Sequence, residues 1–213
     1  MPDRPQIHVM DFEGNPRIGV IELGVVTLSA GETVATHTRF CRPDGLIPPA
    51  ESRIHQISQG MVADSEPFAA DYQAFVQLRR SGIFAAHNAA VEANLLRGQW
   101  PSPPLVPDWS RPGQRSADWG PWIDTLKVYR SLYPGLGDYG LQSLVQTFQL
   151  SERLQALAEA HCPANRRQPH AALYDSLASA LLLDHLWREG TVSPADSQRL
   201  LEWSGVRLDR ELW

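Results

Sequence analysis

Ile7-His8-Val9-Met10-Asp11-Phe12-Glu13-Gly14 reads as a buried strand that ends in two carboxylates one residue apart. Side chains alternate along a strand, so Asp11 and Glu13 project from one face and Phe12 from the other. Two acids delivered to one place repel each other. At an effective dielectric of about 20, unit charges roughly 4 Å apart repel by about 4 kcal/mol, so such a pair needs water, a base or a metal ion. Taken alone, the pair reads as a solvated strand end before the Gly14-Asn15 turn. What changes that reading lies far downstream.

Working outward, Gly14 to Arg17 is a turn, Ile18 to Leu28 is a strand-like apolar run, and Ser29-Ala30-Gly31-Glu32 is a second turn. Thr33 to Cys41 alternates Val34, Thr36, Thr38 and Phe40 against the rest, so the first three strands form an antiparallel meander. Arg42 to Pro49 is proline-rich and closes it. Ile54 to Ser58 is a short helix or turn, and Pro67 to Arg80 is an amphipathic helix with Pro67 in its first turn. Ile83-Phe84-Ala85-Ala86 is a buried strand that runs into a helix through Leu96, with Asn88 as N-cap. This is a strand-to-helix junction of the α/β kind.

The irregular segment 99–121 carries many prolines together with Trp100, Trp109 and Trp119, and the tryptophans favour packing over disorder. Trp122 to Thr125 is a short strand feeding a helix capped by Asp124 or Thr125. Helices follow at Gly140 to Phe148, at Ser151 to Ala160 with an N-cap at its start, and at Ala171 to Trp187. The small residues of the last suit close packing on a sheet. Ser193-Pro194-Ala195-Asp196 resembles a capping box and predicts a terminal helix over Pro194 to Trp203.

The 213 residues suit one well-cored domain. No run approaches the roughly 18 apolar residues of a membrane span, and the polar start Met1-Pro2-Asp3-Arg4-Pro5 lacks an apolar secretory core, so a cytoplasmic location is expected. Cys41 and Cys162 have neither metal-knuckle nor disulfide-framework spacing. A net charge of −5 argues against a broad basic grip on long nucleic acid. It leaves room for a site that holds a chain end, where bound metal ions supply positive charge.

Three further segments stand out. His87-Asn88-Ala89-Ala90-Val91-Glu92 places an acid on the helix after the fourth strand. His170-Ala171-Ala172-Leu173-Tyr174-Asp175 places a histidine and an acid five residues apart, about 140° around a helix, so they converge only if His170 precedes the helix and Asp175 lies inside it. With Asp11-Phe12-Glu13, these resemble in order and spacing the three motifs of the DEDDh 3′-to-5′ exonucleases, the DnaQ-like family of polymerase proofreading subunits and the exonuclease X group. Ile54-His55-Gln56-Ile57 is similar to the family's Ile-His-Gly-Ile segment, and Asp124-Thr125-Leu126 to its Asp-Thr-Leu helix. The resemblance covers residues 6 to 188.

The resemblance implies an α/β, ribonuclease H-like fold: a mixed five-stranded sheet, its first three strands antiparallel, flanked by helices. Residues 1–190 would form the exonuclease domain, with a Pro/Trp-rich insertion at about 99–121, and 191–213 a helical extension of it. Two divalent ions, Mg²⁺ or Mn²⁺, would be bound, with Asp11 bridging both, Glu13 and Asp175 completing the first site and Glu92 serving the second. His170 would take the proton from the attacking water. Phe12 and Gly14 would lie beside the terminal nucleotide, and Ile54 with His55 would line its other side. The partner would be a nucleic acid 3′ end, single-stranded DNA first and RNA second. The alternative is a non-catalytic nucleic-acid- or protein-binding relative of the same fold.

Three positions depart from the family pattern: Glu92 stands where it has Asp, Gly14 where it has Thr or Ser, and Gln56 where it has Gly. His87 reads as a strand-end structural residue, and Asn88 as either a cap or a substrate contact. Asp124 reads as a helix cap. Arg166 and Arg167 read equally as a solvated charge pair or as contacts to phosphates of the incoming strand.

Overall fold

The structure, a computed structural model, describes residues 4–208. The first three residues of the polar start, and 209–213 of the C-terminal extension, lie outside the described residues. Strands β1 (Gln6–Asn15), β2 (Gly19–Ser29) and β3 (Glu32–Phe40) form the expected antiparallel meander. Helices α1 (Pro49–His55) and α2 (Gln59–Val62) follow, then a 3-10 turn at Phe68–Asp71, α3 (Tyr72–Ser81) and β4 (Gly82–Ala86). Helix α4 (Ala90–Gln99) leads into a small hairpin of β5 (Val106–Pro107) and β6 (Arg115–Ser116), then β7 (Trp122–Asp124). The chain ends through α5 (Thr125–Leu132), α6 (Leu141–Thr147), α7 (Ser151–His161), α8 (Ala172–Arg188) and α9 (Ser197–Trp203). No helix among the described residues is long and apolar enough to cross a membrane.

The main sheet runs in the order β3-β2-β1-β4-β7, with β4 parallel to both β1 and β7. It is covered on both faces, and β1 shows this by its alternation. Ile7 and Val9 enter one core with α5 to α9, whereas Met10 and Phe12 enter the other with α3, α4 and the tryptophans. Asp11 and Glu13 continue the first series, so they face α8. The edge strand β3 is largely exposed and carries Glu32, Thr33, Thr36, Thr38 and Arg39, polar side chains suited to a free edge.

Helix α8 lies against β1 and β2, and its N-terminus makes a very close approach. A Cβ on Gly24 would lie 2.3 Å from the Ala172 carbonyl carbon, and the Ser176 hydroxyl donates to the Gly24 carbonyl at 3.0 Å. The Pro/Trp-rich segment packs as expected. Trp119 is fully buried, stacks on Phe84 at 6.3 Å and donates its indole N–H to the Trp100 carbonyl at 2.9 Å. The buried Arg79 ties the segment down by donating to the carbonyls of Pro107 and Gly120. Helix α9 contributes Leu200 and Leu201 to the same core as α8.

Several helix starts differ from expectation, each for a local reason. The helix predicted from Pro67 opens as a 3-10 turn, because Pro67 is extended and Arg39 grips its carbonyl, the Glu66 carbonyl and the Asp71 carboxylate. The terminal helix starts at Ser197 rather than Pro194, where the Asp196 side chain accepts from the Arg199 amide at 3.0 Å. Ser151 is the first helical residue and gives no side-chain cap. Asn88 does not cap α4 either. It adopts a left-handed conformation, φ 65°, one residue too early. Replacing Gly24 by Ala is expected to lower stability by about 1–3 kcal/mol in a urea titration. Gly135→Ala, where open space surrounds the added methyl, should change little.

Candidate active site

The register of β1 on β2 sets Asp11 opposite Gly24 and Glu13 opposite Glu22. Asp175 sits in the first turn of α8 and Glu92 in the first turn of α4, where the helix dipole favours an anion. His170 lies just outside α8 in a left-handed conformation, φ 63°, and its amide donates to Asp175 Oδ2 at 2.9 Å. This is the arrangement that the five-residue spacing demanded. Ligand atoms of Glu13, His170 and Asp175 all lie within 4.8 Å of one another and could hold a metal ion. Gln142 donates to Asp175 Oδ1 at 3.0 Å, so both oxygens of that carboxylate are oriented by a donor.

The electrostatics are those of acids crowded out of water. Burial raises Glu13 to about 8, reinforced by the charges of Asp175 and Glu22 and opposed by Arg166. Burial likewise raises Glu92 to about 8, with Asp124 adding to the effect, and Asp175 to about 6 against the hydrogen bond from His170. Asp11 is pushed well above the usual carboxylate range by burial and then by Asp175, Glu92 and Glu13. Glu92 is 4% exposed, and its Oε2 has no hydrogen-bond partner. Hard oxygen donors with surplus negative charge and an unsatisfied buried oxygen fit a divalent cation.

The other expected residues divide. Gly14 occupies a bulge at φ 131°, where a Cβ would lie 2.2 Å from the Gly19 carbonyl oxygen, so this backbone has no room for the family's Thr or Ser. The Phe12 ring packs on Phe68 and Phe75, so its side chain points away from the acidic cluster into the core. Ile54 is 55% exposed, but His55 is buried. The His55 Nδ1 accepts from the Ile57 amide at 3.1 Å, so Nε2 carries the proton and is left without a partner. Gln56 takes a left-handed conformation, φ 58°, at the end of α1, which explains glycine there in the family. Asn15 joins α1 to the motif strand, donating to both Glu51 oxygens at 2.8 and 2.7 Å.

His87 is structural as expected, bonded to Thr125 Oγ1 and the Tyr139 carbonyl, each at 2.9 Å. Asp124 caps α5 and also accepts from the Asn88 amide at 3.1 Å. Neither expectation for Arg166 holds. It is buried in a bidentate pair with Glu22, and it donates to the carbonyls of His55 at 2.7 Å and His170 at 3.0 Å. Arg167 turns to the carbonyls of Glu159 and Cys162 near the end of α7. Glu22 and Gln142 carry no assignment in the sequence reading. A glutamate inside the apolar run Val20-Ile21-Glu22-Leu23 was the available signal, since a buried acid requires a partner.

Sheet order and acidic cluster together define a ribonuclease H-like nuclease. The family model described as Exonuclease, RNase T, matches residues 12–183. Exodeoxyribonuclease 10 of Escherichia coli (strain K12) is 30% identical over 167 residues, 78% of this chain and 61% of its own length. DNA polymerase III subunit epsilon of Treponema pallidum (strain Nichols) is 27% identical over 142 residues, 66% of this chain and 61% of that protein. Exonuclease X, solved in complex with 5′ overhanging duplex DNA, matches with a TM-score of 0.65 at 26% identity, covering 92% of this chain and 99% of the other. The chain spans about three fifths of the length of those two curated relatives. It belongs to the DEDDh, DnaQ-like exonuclease family, whose members use divalent metal ions.

Carboxyls with raised pKa hold protons that the unfolded chain releases. Their stabilising contribution is complete below the ordinary Glu value of 4.5 and is lost as pH rises through about 8. Metal-free protein is therefore expected to melt at a lower temperature at about pH 8.5 than at about pH 5.5. Added Mg²⁺ or Mn²⁺ should raise Tm more at the higher pH, because the ion replaces the protons. Calorimetry across both conditions checks this, and a Tm indifferent to both pH and metal would refute it.

Proposed function

We propose that this chain is a metal-dependent 3′-to-5′ exonuclease that hydrolyses the terminal phosphodiester of a nucleic acid, with single-stranded DNA favoured and RNA second. The observation that carries the reading is the convergence of Glu13, His170 and Asp175 within 4.8 Å beside Asp11. The relatives' names as exodeoxyribonuclease and proofreading subunit support it. We take residues 1–190 as the exonuclease domain and 191–213 as its helical extension.

Asp11, Glu13 and Asp175 would hold one divalent ion, and Asp11 with Glu92 a second, either Mg²⁺ or Mn²⁺. Bound metal supplies water activation and neutralises charge on the phosphate and leaving oxygen. The exposed imidazole of His170 takes the proton from the attacking water, held in place through the hydrogen bond of its main chain to Asp175. Gly14 and the main chain of Phe12 border the terminal nucleotide, with Ile54 as an exposed apolar contact and the unpaired Nε2 of His55 beneath it. Asn88 is exposed and its side chain is free of capping duty, so it would be open to contact the substrate. Glu92 is one methylene longer than the family's Asp, and its buried oxygen Oε2 is available for an ion.

The test is degradation of 5′-labelled DNA and RNA strands, and of a duplex with a 5′ overhang, in Mg²⁺ and in Mn²⁺. The expected product is a ladder that shortens from the 3′ end. Asp11→Ala should abolish it, and His170→Ala should lower kcat by about 10²–10⁴-fold. If the wild type and both variants release mononucleotides at one background rate, the non-catalytic reading stands instead.

A further inference from the structure

We propose that the buried Arg166–Glu22 pair is a positioning clamp for His170, one that sets the general base against the carboxylates while holding the opposite wall of the site in the same grip. This rests on the exonuclease reading above. Both side chains are almost wholly buried, at 4% and 3% exposed. Arg166 Nε donates to Glu22 Oε1 at 2.9 Å, and Nη2 donates to Glu22 Oε2 in a fork-to-fork pair. The same guanidinium donates from Nη1 to the His55 carbonyl at 2.7 Å and from Nη2 to the His170 carbonyl at 3.0 Å. Glu22 Oε2 also accepts from the Ala172 amide at 3.0 Å, which pins the start of α8 to β2. One ion pair thus joins β2, the end of α1, the loop carrying His170 and the first turn of the helix carrying Asp175.

The reason His170 needs such a device is its backbone. At φ 63° it occupies a region that side chains other than glycine rarely adopt, so its surroundings must hold it there. Its peptide is gripped on both sides, the amide by Asp175 Oδ2 and the carbonyl by Arg166. The imidazole itself is exposed, so its place is inherited from that main chain. Arginine suits the role because its planar fork meets several acceptors in fixed directions, whereas a lysine ammonium cannot span them. The fork also lies over the Phe40 ring, 5.9 Å from its centroid, and the Arg166 amide donates to the Pro163 carbonyl at 2.8 Å. Because Glu22 stands directly opposite Glu13 in the strand register, the clamp also brings a cation beside the acidic cluster.

Arg166→Lys keeps the charge and loses the fork, and Glu22→Gln keeps the shape and loses the charge, so two independent variants guard against one that fails to fold. Each should lower single-turnover kcat by about 10–100-fold, the scale of an ångström-sized misplacement, with KM for the oligonucleotide changed less than about 3-fold. Placed in a His170→Ala background, the same substitutions should cost less than about 3-fold, because the group they position is already gone. Hydrogen exchange of the His170 amide, measured by NMR on the same proteins, should speed up in both variants. Equal losses in the wild-type and His170→Ala backgrounds, or an unchanged kcat, overturn the proposal. If the wild type shows no exonuclease activity, the functional reading fails. The amide then decides the clamp alone: faster exchange supports it and unchanged exchange refutes it.

Discussion

Desolvation of carboxyls crowded at one end of the sheet, with their mutual repulsion added to it, is the constraint that the rest of this molecule serves. Asp11, Glu13, Glu92 and Asp175 come from three separate elements, and each is held in a setting that raises its pKa. A chain free to relax would splay them into water. They stay together because the elements that carry them cannot move apart without opening a core: β1 lies in mid-sheet, and α8 is buried along most of its length. Stability gathered by apolar side chains thereby holds these groups at one place, where a bound divalent cation would offset their desolvation and repulsion.

The two-sided sheet explains how one short strand does this. Alternation gives β1 a partner core on each face, so Asp11 and Glu13 project toward α8 while Met10 and Phe12 anchor the strand from behind among the aromatic rings of Phe68, Phe75 and Phe84. The irregular tryptophan segment belongs to that rear support. Trp100 and Trp119 pack with these phenylalanines, so the segment supports the site-bearing strand through packing.

The features legible in the sequence were those encoded locally. Strand alternation put Asp11 and Glu13 on one face, and the five-residue step from His170 to Asp175 required a helix start between them. The meander followed from turn residues at 14–17 and 29–32. What escaped was encoded at long range or in the backbone. Glu22 and Arg166 are 144 residues apart, and no local pattern links an acid in a strand to a base in a connector. Arg166 beside Arg167 reads as a solvated pair or as a contact to phosphates, yet adjacent residues there point into different surroundings. Helix starts at 72 and 197 were missed because long-range hydrogen bonds from Arg39 and a later acid, Asp196, overruled the proline signals.

Three non-glycine residues with left-handed backbones, Gln56, Asn88 and His170, lie in the segments around the site. Asparagine tolerates that conformation well, and at 56 the side chain is dispensable to the turn, so both positions can change without loss of the turn. At 170 the proposed role calls for the imidazole, and no residue offers both an imidazole and glycine's freedom. Selection for robustness alone would therefore relax position 56 and leave 170 strained. Under the role proposed for His170, part of the conformational burden of this fold falls on the general base, and a variant that sheds it there gains stability only by giving up that role.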